Sequence, residues 1–316
     1  MCDCLVALRP ATNGATLFAK NSDRPPSEAQ DVIWSPTRRD TGSLDTTHIA
    51  VAPLATDTLG CLLSRPRWCW GAEHGVNVAG VAIGNEAIYT TLDPRPFPDA
   101  LIGMDLVRLG LERSLTARAA VEVITGLLER YGQGGAGHDP AGAKSTPYWS
   151  SFLIADPEEA WVLETSGVAW MASLVADVRA ISNRTTIPAF DARYRHPGQP
   201  VERLVDPRLA ASNAVLGFDP VIIDDVFDHL RSHDSCAEPG WSVCMHVDGV
   251  EETTSSMVAE LPADGSPVAH VLVGSPCLND YVTIEIGRPF DAIRWENRVV
   301  PAAVGGPAAV GGPPEP

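Results

Sequence analysis

No stretch of these 316 residues approaches the ~18 consecutive apolar positions that a membrane-spanning helix requires, so no transmembrane helix is expected. Positive charge is scarce. Lys and Arg number 23 against 40 Asp and Glu, a formal net charge of −17. Nucleic acids and anionic membrane surfaces both select clustered Lys and Arg, so neither is an expected partner. The seven cysteines are too few for a disulfide scaffold, and their odd number favours free thiols. Met1-Cys2-Asp3-Cys4 lacks the basic region and apolar run of a secretory leader, which points to the cytoplasm. What is present is globular in proportion, with 45% hydrophobic and 20% charged residues.

Apolar runs broken by Gly and Pro predict strands over Cys4–Leu8, Ala15–Lys20, Thr47–Ala52, Thr58–Ser64 and Val76–Gly84. The first two are joined across Asn13-Gly14, a pair that tolerates positive φ and suits a hairpin. Apolar residues at helical spacing predict helices over Leu101–Arg113 and Ala117–Tyr131, with Thr116 as N-cap and Gly132 as terminator. The Gly-rich stretch 132–142 is a candidate lid. Strands resume over Ser151–Ala155, Ala160–Glu164, Ala169–Leu174 and Val178–Ser182, and residues 191–217 read as irregular. Asp219-Pro220 is expected to open a helix to about His233. Strands over Ser242–His246, Thr254–Leu261, His270–Gly274 and Tyr281–Ile286 complete an α+β domain spanning 1–295. The Pro/Gly/Ala-rich end, 296–316, has too little apolar surface to offset its ordering entropy and reads as a disordered tail.

The chemistry starts at Cys2. Removal of Met1 is favoured before a small second residue and would leave an α-amine beside a thiol. The amine titrates at ~7.7–8.0 and the thiol at ~8.5, so one residue can supply both nucleophile and base. An ordinary N-terminal cysteine is the alternative. Pairing of the first two strands would bring Lys20-Asn-Ser-Asp23-Arg24 beside Cys2, with Asp23 placed to hold the amine and Lys20 or Arg24 to lower the thiol pKa. The alternative for this cluster is a solvated turn with a surface ion pair. Trp68 and Trp70, with Glu73 nearby, read either as core or as the wall of a substrate pocket. Cys2-x-Cys4 lacks a second ligand pair, and His229-x-x-x-His233 lacks the Glu of a His-Glu-x-x-His zinc site. No metal or other cofactor is expected.

Cys2-Asp-Cys-Leu-Val-Ala-Leu8, Phe18-Ala-Lys-Asn-Ser-Asp-Arg-Pro-Pro-Ser-Glu-Ala-Gln30 and Ser64-Arg-Pro-Arg-Trp-Cys-Trp-Gly-Ala-Glu-His-Gly-Val-Asn77 resemble the secernins and their bacterial dipeptidase-like relatives. Gly80-Val-Ala-Ile-Gly-Asn-Glu-Ala87, Tyr131-Gly-Gln-Gly-Gly135 and Glu159-Ala-Trp-Val-Leu-Glu-Thr165 extend the resemblance, which covers roughly 1–290. These are cysteine N-terminal nucleophile hydrolases, related to bile-salt and penicillin V acylases. The resemblance implies a four-layer αββα sandwich. It also implies cleavage of a non-polymeric amide or small peptide bond through a thioester at Cys2. Asp23 then positions the amine, and Lys20 stands where the acylases carry Arg. Asn85 and Asn183 would form the oxyanion hole, with Cys4 as fallback nucleophile. The expected partner is a small amide or dipeptide substrate, and self-association is left open. Acyl transfer at the same site, or a catalytically silent interaction protein, are the competing outcomes.

Overall fold

Alternation along the first strand sets the layers. In the computed structural model, which describes residues 1–142, 146–234, 238–288 and 290–299, the strands are β1 (Cys2–Ala7), β2 (Thr16–Arg24), β3 (Gln30–Ser35), β4 (Leu44–Asp45), β5 (Ala50–Val51), β6 (Cys61–Pro66), β7 (His74–Asn77) and β8 (Ala82–Ile88). They continue as β9 (Trp149–Ala155), β10 (Ala160–Ser166), β11 (Ala169–Leu174), β12 (Val178–Ser182), β13 (His246–Val247), β14 (Glu251–Leu261), β15 (Val268–Val273) and β16 (Val282–Glu285). The helices are α1 (Arg9–Thr12), α2 (Gly103–Arg113), α3 (Ala117–Tyr131), α4 (Pro188–Tyr194), α5 (Val201–Leu204), α6 (Asp206–Val215) and α7 (Ile223–Leu230). One antiparallel sheet runs β12-β1-β2-β14-β15-β16, with β13 also paired to β14; the other runs β11-β10-β9-β8-β7-β6-β3.

Side chains of a strand point alternately to its two faces. Cys4 and Val6 of β1, with Phe18 of β2, pack against Leu62, Val76 and Leu153 of the second sheet. Leu5, Ala7, Leu17 and Ala19, on the reverse face, pack against Val226 and Leu230 of α7. Behind the second sheet, Leu63 and Ile83 pack on Leu106, Leu109 and Ile124 of α2 and α3. Each such side chain contributes about 1.5–3 kcal/mol on burial. Helices, sheet, sheet and helices follow in that order, the αββα sandwich.

α3 has the predicted bounds, with Thr116 Oγ1 accepting from Ala119 N and Gly132 at φ +77. Other boundaries move. The run expected over Val76–Gly84 is two strands, because Gly80 (φ +84) reverses the chain and Asn77 Oδ1 accepts from Ala79 N and Val81 N across the turn. Between β1 and β2 lies α1, closed by Asn13 at φ 55. Residues 191–217 are not irregular but hold the end of α4 and all of α5 and α6. β3 went unread. The helix expected from Asp219-Pro220 starts only at Ile223 and ends at Leu230. The Gly-rich stretch is tied down, with Gly137 O accepting from Arg24 and Asp139 N donating to Glu28. Of the expected tail, Trp295–Asn297 makes a single 3-10 turn with Trp295 buried, and residues 300–316 lie outside those described. Among the described residues no helix is long and apolar enough to cross a membrane.

The sheets approach closely at Gly84. A Cβ there would sit 2.7 Å from Lys20 Cδ, 2.9 Å from Cys4 Sγ and 3.2 Å from Phe18 Cζ. Gly84→Ala is therefore expected to cost about 1–3 kcal/mol by overpacking. A urea midpoint equal to the parent's would show that the spacing is not held here.

Candidate active site

β1 is an interior strand, paired to β2 with Cys2 opposite Ser22 and to β12 with Asp3 opposite Ser182. Cys2, Cys4, Lys20 and Ser22 share the face between the sheets, while Asp3, Asn21 and Asp23 share the face toward α6 and α7. The apolar middle layer becomes polar at this end. Ser22 Oγ lies 3.1 Å from His74 Nδ1 and Ser64 Oγ lies 2.6 Å from Ser255 Oγ. Lys20 is fully buried. Its Nζ donates to Asn85 O (2.7 Å) and lies 3.5 Å from the Glu86 carboxylate, so the solvated-turn alternative fails.

Around the terminus, Cys2 N donates to Asn183 Oδ1 at 2.8 Å. The Met1 amine donates to Asp23 O at 3.0 Å and to the Glu251 carboxylate. Asp23 Oδ1 accepts from Thr253 Oγ1 (2.7 Å), whereas Oδ2 has no hydrogen-bond partner among the described residues and lies 3.8 Å from Arg208 Nη1. α6 delivers Arg208, wholly buried, which donates to Asp3 Oδ2 (2.5 Å), Asn183 Oδ1 (3.0 Å) and Cys2 O (3.4 Å).

Burial sets the protonation states. It pushes the Cys2 thiol up, with Lys20 pulling it partly back, so the thiol is neutral at ordinary pH. Burial also raises Asp23 to about 7, against the pull of the terminal amine and Arg208. His74 is pushed down by burial and by Lys20, which keeps its imidazole neutral. A neutral thiol in a dry site needs a base close by.

The two asparagines part company. Asn183 uses its oxygen for Cys2 N and Arg208, and its Nδ2 donates to Ala87 O (3.0 Å). Asn85 directs its amide nitrogen at Glu73, 3.2 Å from the carboxylate and 3.0 Å from the carbonyl. Glu73 also receives Arg24 Nη1 at 2.5 Å, and its charge acts on the Cys2 thiol. Arg24 also binds Glu28 (2.7 Å), which accepts Trp68 Nε1 (2.9 Å). Trp70 stacks instead 4.1 Å from the Arg108 guanidinium of α2. Neither indole lines the cavity at the terminus, a space of about 160 Å³ bounded by Met1, Ala87, Tyr89, Asn183, Trp241 and Glu251. Tyr89, Gln199 and Pro200 are shared between this cavity and an outer groove of about 530 Å³.

Residues 4–197 match the profile of peptidase family C69. The chain belongs to peptidase family C69. It is a hydrolase acting on C–N bonds of small amide or peptide substrates. A mutant of the conjugated bile acid hydrolase of Clostridium perfringens shares the fold with a TM-score of 0.58 at 12% identity, over 93% of this chain and 96% of that one. Penicillin V acylase of Agrobacterium tumefaciens gives 0.56 at 15% identity, over 90% and 86%.

The sequence reading of this C69 hydrolase missed Arg208, Thr253, Glu251 and His74. Arg208 follows Asp206-Pro207, the same acid-proline helix signal that was noticed at Asp219-Pro220. His74 lies within the Ser64–Asn77 run that carries the resemblance and Thr253 opens another such run, Thr253–Val258, but neither was assigned a role, and Glu251 carries no local signature.

The raised Asp23 has a consequence for stability. A carboxyl whose folded pKa lies above its unfolded value stabilises the fold below about 3.8, and this contribution is lost as pH rises through about 7. Over that window the loss is roughly 1 kcal/mol per pH unit. Asp23→Asn is therefore expected to gain on the parent in urea midpoint between pH 5 and pH 7. A pH-independent difference would mean that Asp23 is ionised at ordinary cost.

Proposed function

We propose that this C69 hydrolase cleaves dipeptides through Cys2 after Met1 has been removed. The observation that carries this is the setting of Cys2 N, held by Asn183 Oδ1, which also accepts from Arg208, whose guanidinium lies 3.8 Å from an Asp23 oxygen with no hydrogen-bond partner among the described residues. A freed α-amine there would keep the first bond and gain the carboxylate. The amine takes the thiol proton, and the thiolate attacks the substrate carbonyl carbon. The tetrahedral oxyanion receives the Asn85 amide, which gives up its Glu73 contacts to reach it, with the buried charge of Lys20 nearby. Collapse expels the leaving amine, which takes the proton from the cysteine ammonium, and leaves a thioester. Water, deprotonated by the same amine, attacks the thioester. The acid departs and the thiol is restored. Asn183 serves in this scheme as the holder of the amine.

Met1 supports the substrate class. An acyl group on the nitrogen of cysteine and one on its sulfur are related by a five-membered transfer, so Met1 lies close to where an aminoacyl thioester would lie. Its ammonium meets Glu251, and it lines the cavity with Leu204, Val205 and Trp241. A dipeptide would set its own ammonium on Glu251 and its first side chain in that apolar space. The Cys2 amine and the substrate amine are thereby given separate acids, Asp23 and Glu251.

Intact mass should show a chain lacking Met1, and Cys2→Ala should lose about 10³-fold or more in turnover with unchanged circular dichroism. Full activity in that variant moves the nucleophile elsewhere, Cys4 first. Asn85→Ala should lower kcat by about 10²–10³ with little change in KM. Glu251→Gln should raise KM for dipeptides but not for their N-acetyl analogues. An equal effect on both would favour N-acyl amino acids as substrates, and product analysis with an added amine would reveal acyl transfer.

A further inference from the structure

His229 and His233, expected on one helix, are separated because α7 ends at Leu230. His229 turns inward, its Nε2 3.0 Å from Ser212 Oγ. His233 lies instead 5.2 Å, ring to ring, from His246. His246 Nε2 is 3.4 Å from Cys244 Sγ and 3.2 Å from Cys277 Sγ. One donor atom from each of His233, Cys244, His246 and Cys277 lies within 4.8 Å of all the others. A tetrahedral ion with metal–sulfur bonds of ~2.3 Å and metal–nitrogen bonds of ~2.0–2.1 Å has nitrogen–sulfur edges of about 3.6 Å. The two edges measured here fall short of that by only a few tenths of an ångström.

We propose that His233, Cys244, His246 and Cys277 form a tetrahedral site for a zinc-like divalent cation. Two thiolates balance the ion's charge and two neutral imidazoles complete the set. Sulfur and imidazole select zinc over calcium or magnesium, which want oxygen. Four protein ligands fill the shell and leave no position for a reacting water, so the role is structural. The ligands come from the segment after α7, from β13 with the residues just before it, and from the β15–β16 turn. The intervals between 233, 244, 246 and 277 match no paired-ligand motif, so the sequence gives no warning of the site.

The ion would brace the region behind Asp23. Met245, between two ligands, donates its N–H to Thr253 Oγ1 at 2.8 Å, and that hydroxyl donates to Asp23 Oδ1 at 2.7 Å. Ser275, two residues before Cys277, donates to Thr253 O at 3.1 Å. The inference does not rest on the proposed cleavage reaction.

The test uses the full chain, purified anaerobically under reducing conditions and titrated with Co2+. The expected result is one ion per chain, with thiolate-to-cobalt charge transfer in the near ultraviolet and the intense visible bands of tetrahedral Co2+. Zn2+ should displace it and raise the melting temperature. Cys277→Ser should abolish the charge-transfer band. His233→Asn, at an exposed ligand, should weaken Co2+ by at least about tenfold with unchanged circular dichroism, which keeps the test valid if the cysteine variant misfolds. The proposal is overturned by an absence of tetrahedral bands in the parent, by bands unchanged in both variants, or by a Cys244–Cys277 disulfide in the anaerobic protein.

Discussion

A single buried guanidinium holds the beginning of this chain in place. Terminal residues ordinarily fray, because they lack neighbours on one side. Here the first strand has a partner on each edge, and Arg208 reaches across from α6 to Asp3, Asn183 and the carbonyl of Cys2. The arrangement is costly to break, since removing one partner of a buried ion pair typically costs 3–5 kcal/mol. The role proposed for the Cys2 backbone nitrogen requires fixed geometry, and this clamp supplies it.

Charge is divided between the two faces of the β1–β2 ribbon. Toward the second sheet, Lys20 and Glu86 act on the thiol; toward the helices, Arg208 pairs with Asp3 and lies 3.8 Å from Asp23. In a chain with so large an acidic excess, both cations are fully buried. Water would screen them at the surface, whereas in a dry interior each acts at full strength on a neighbouring group. The strand's alternation lets sulfur and nitrogen of one residue feel different environments only three bonds apart.

The neutral thiol and the raised carboxyl express the same desolvation. The carboxyl keeps a proton that an exposed one would release, and the thiol holds its own to higher pH than an exposed thiol would. The polar end of the sandwich, with Ser22, His74, Ser64 and Ser255 between the sheets, is the counterpart of the apolar layer of Phe18, Val76 and Leu153 that fixes the sheet spacing.

Legibility followed the range of the signal. α3, β11 and β12 were found with their ends because periodicity, N-cap and terminating glycine all lie within a few residues. β3 and the three helices around 188–215 were missed, since Pro and Arg density was weighed over Pro at the first turn of α4 and α6. Cys2, Lys20, Asp23, Asn85 and Asn183 were all named from short motifs. Their surroundings were not, because Arg208, Thr253 and Glu251 lie some two hundred residues away along the chain. By itself the sequence determined the α+β class and the residue types at the terminus, since these depend on alternation and neighbouring positions, while the four-layer αββα arrangement was implied only by the family resemblance. Which nitrogen meets which oxygen, which acid faces which amine, and that His233 meets Cys277 were decided only by packing, because contacts between remote segments depend on strand register and helix placement that no local pattern encodes.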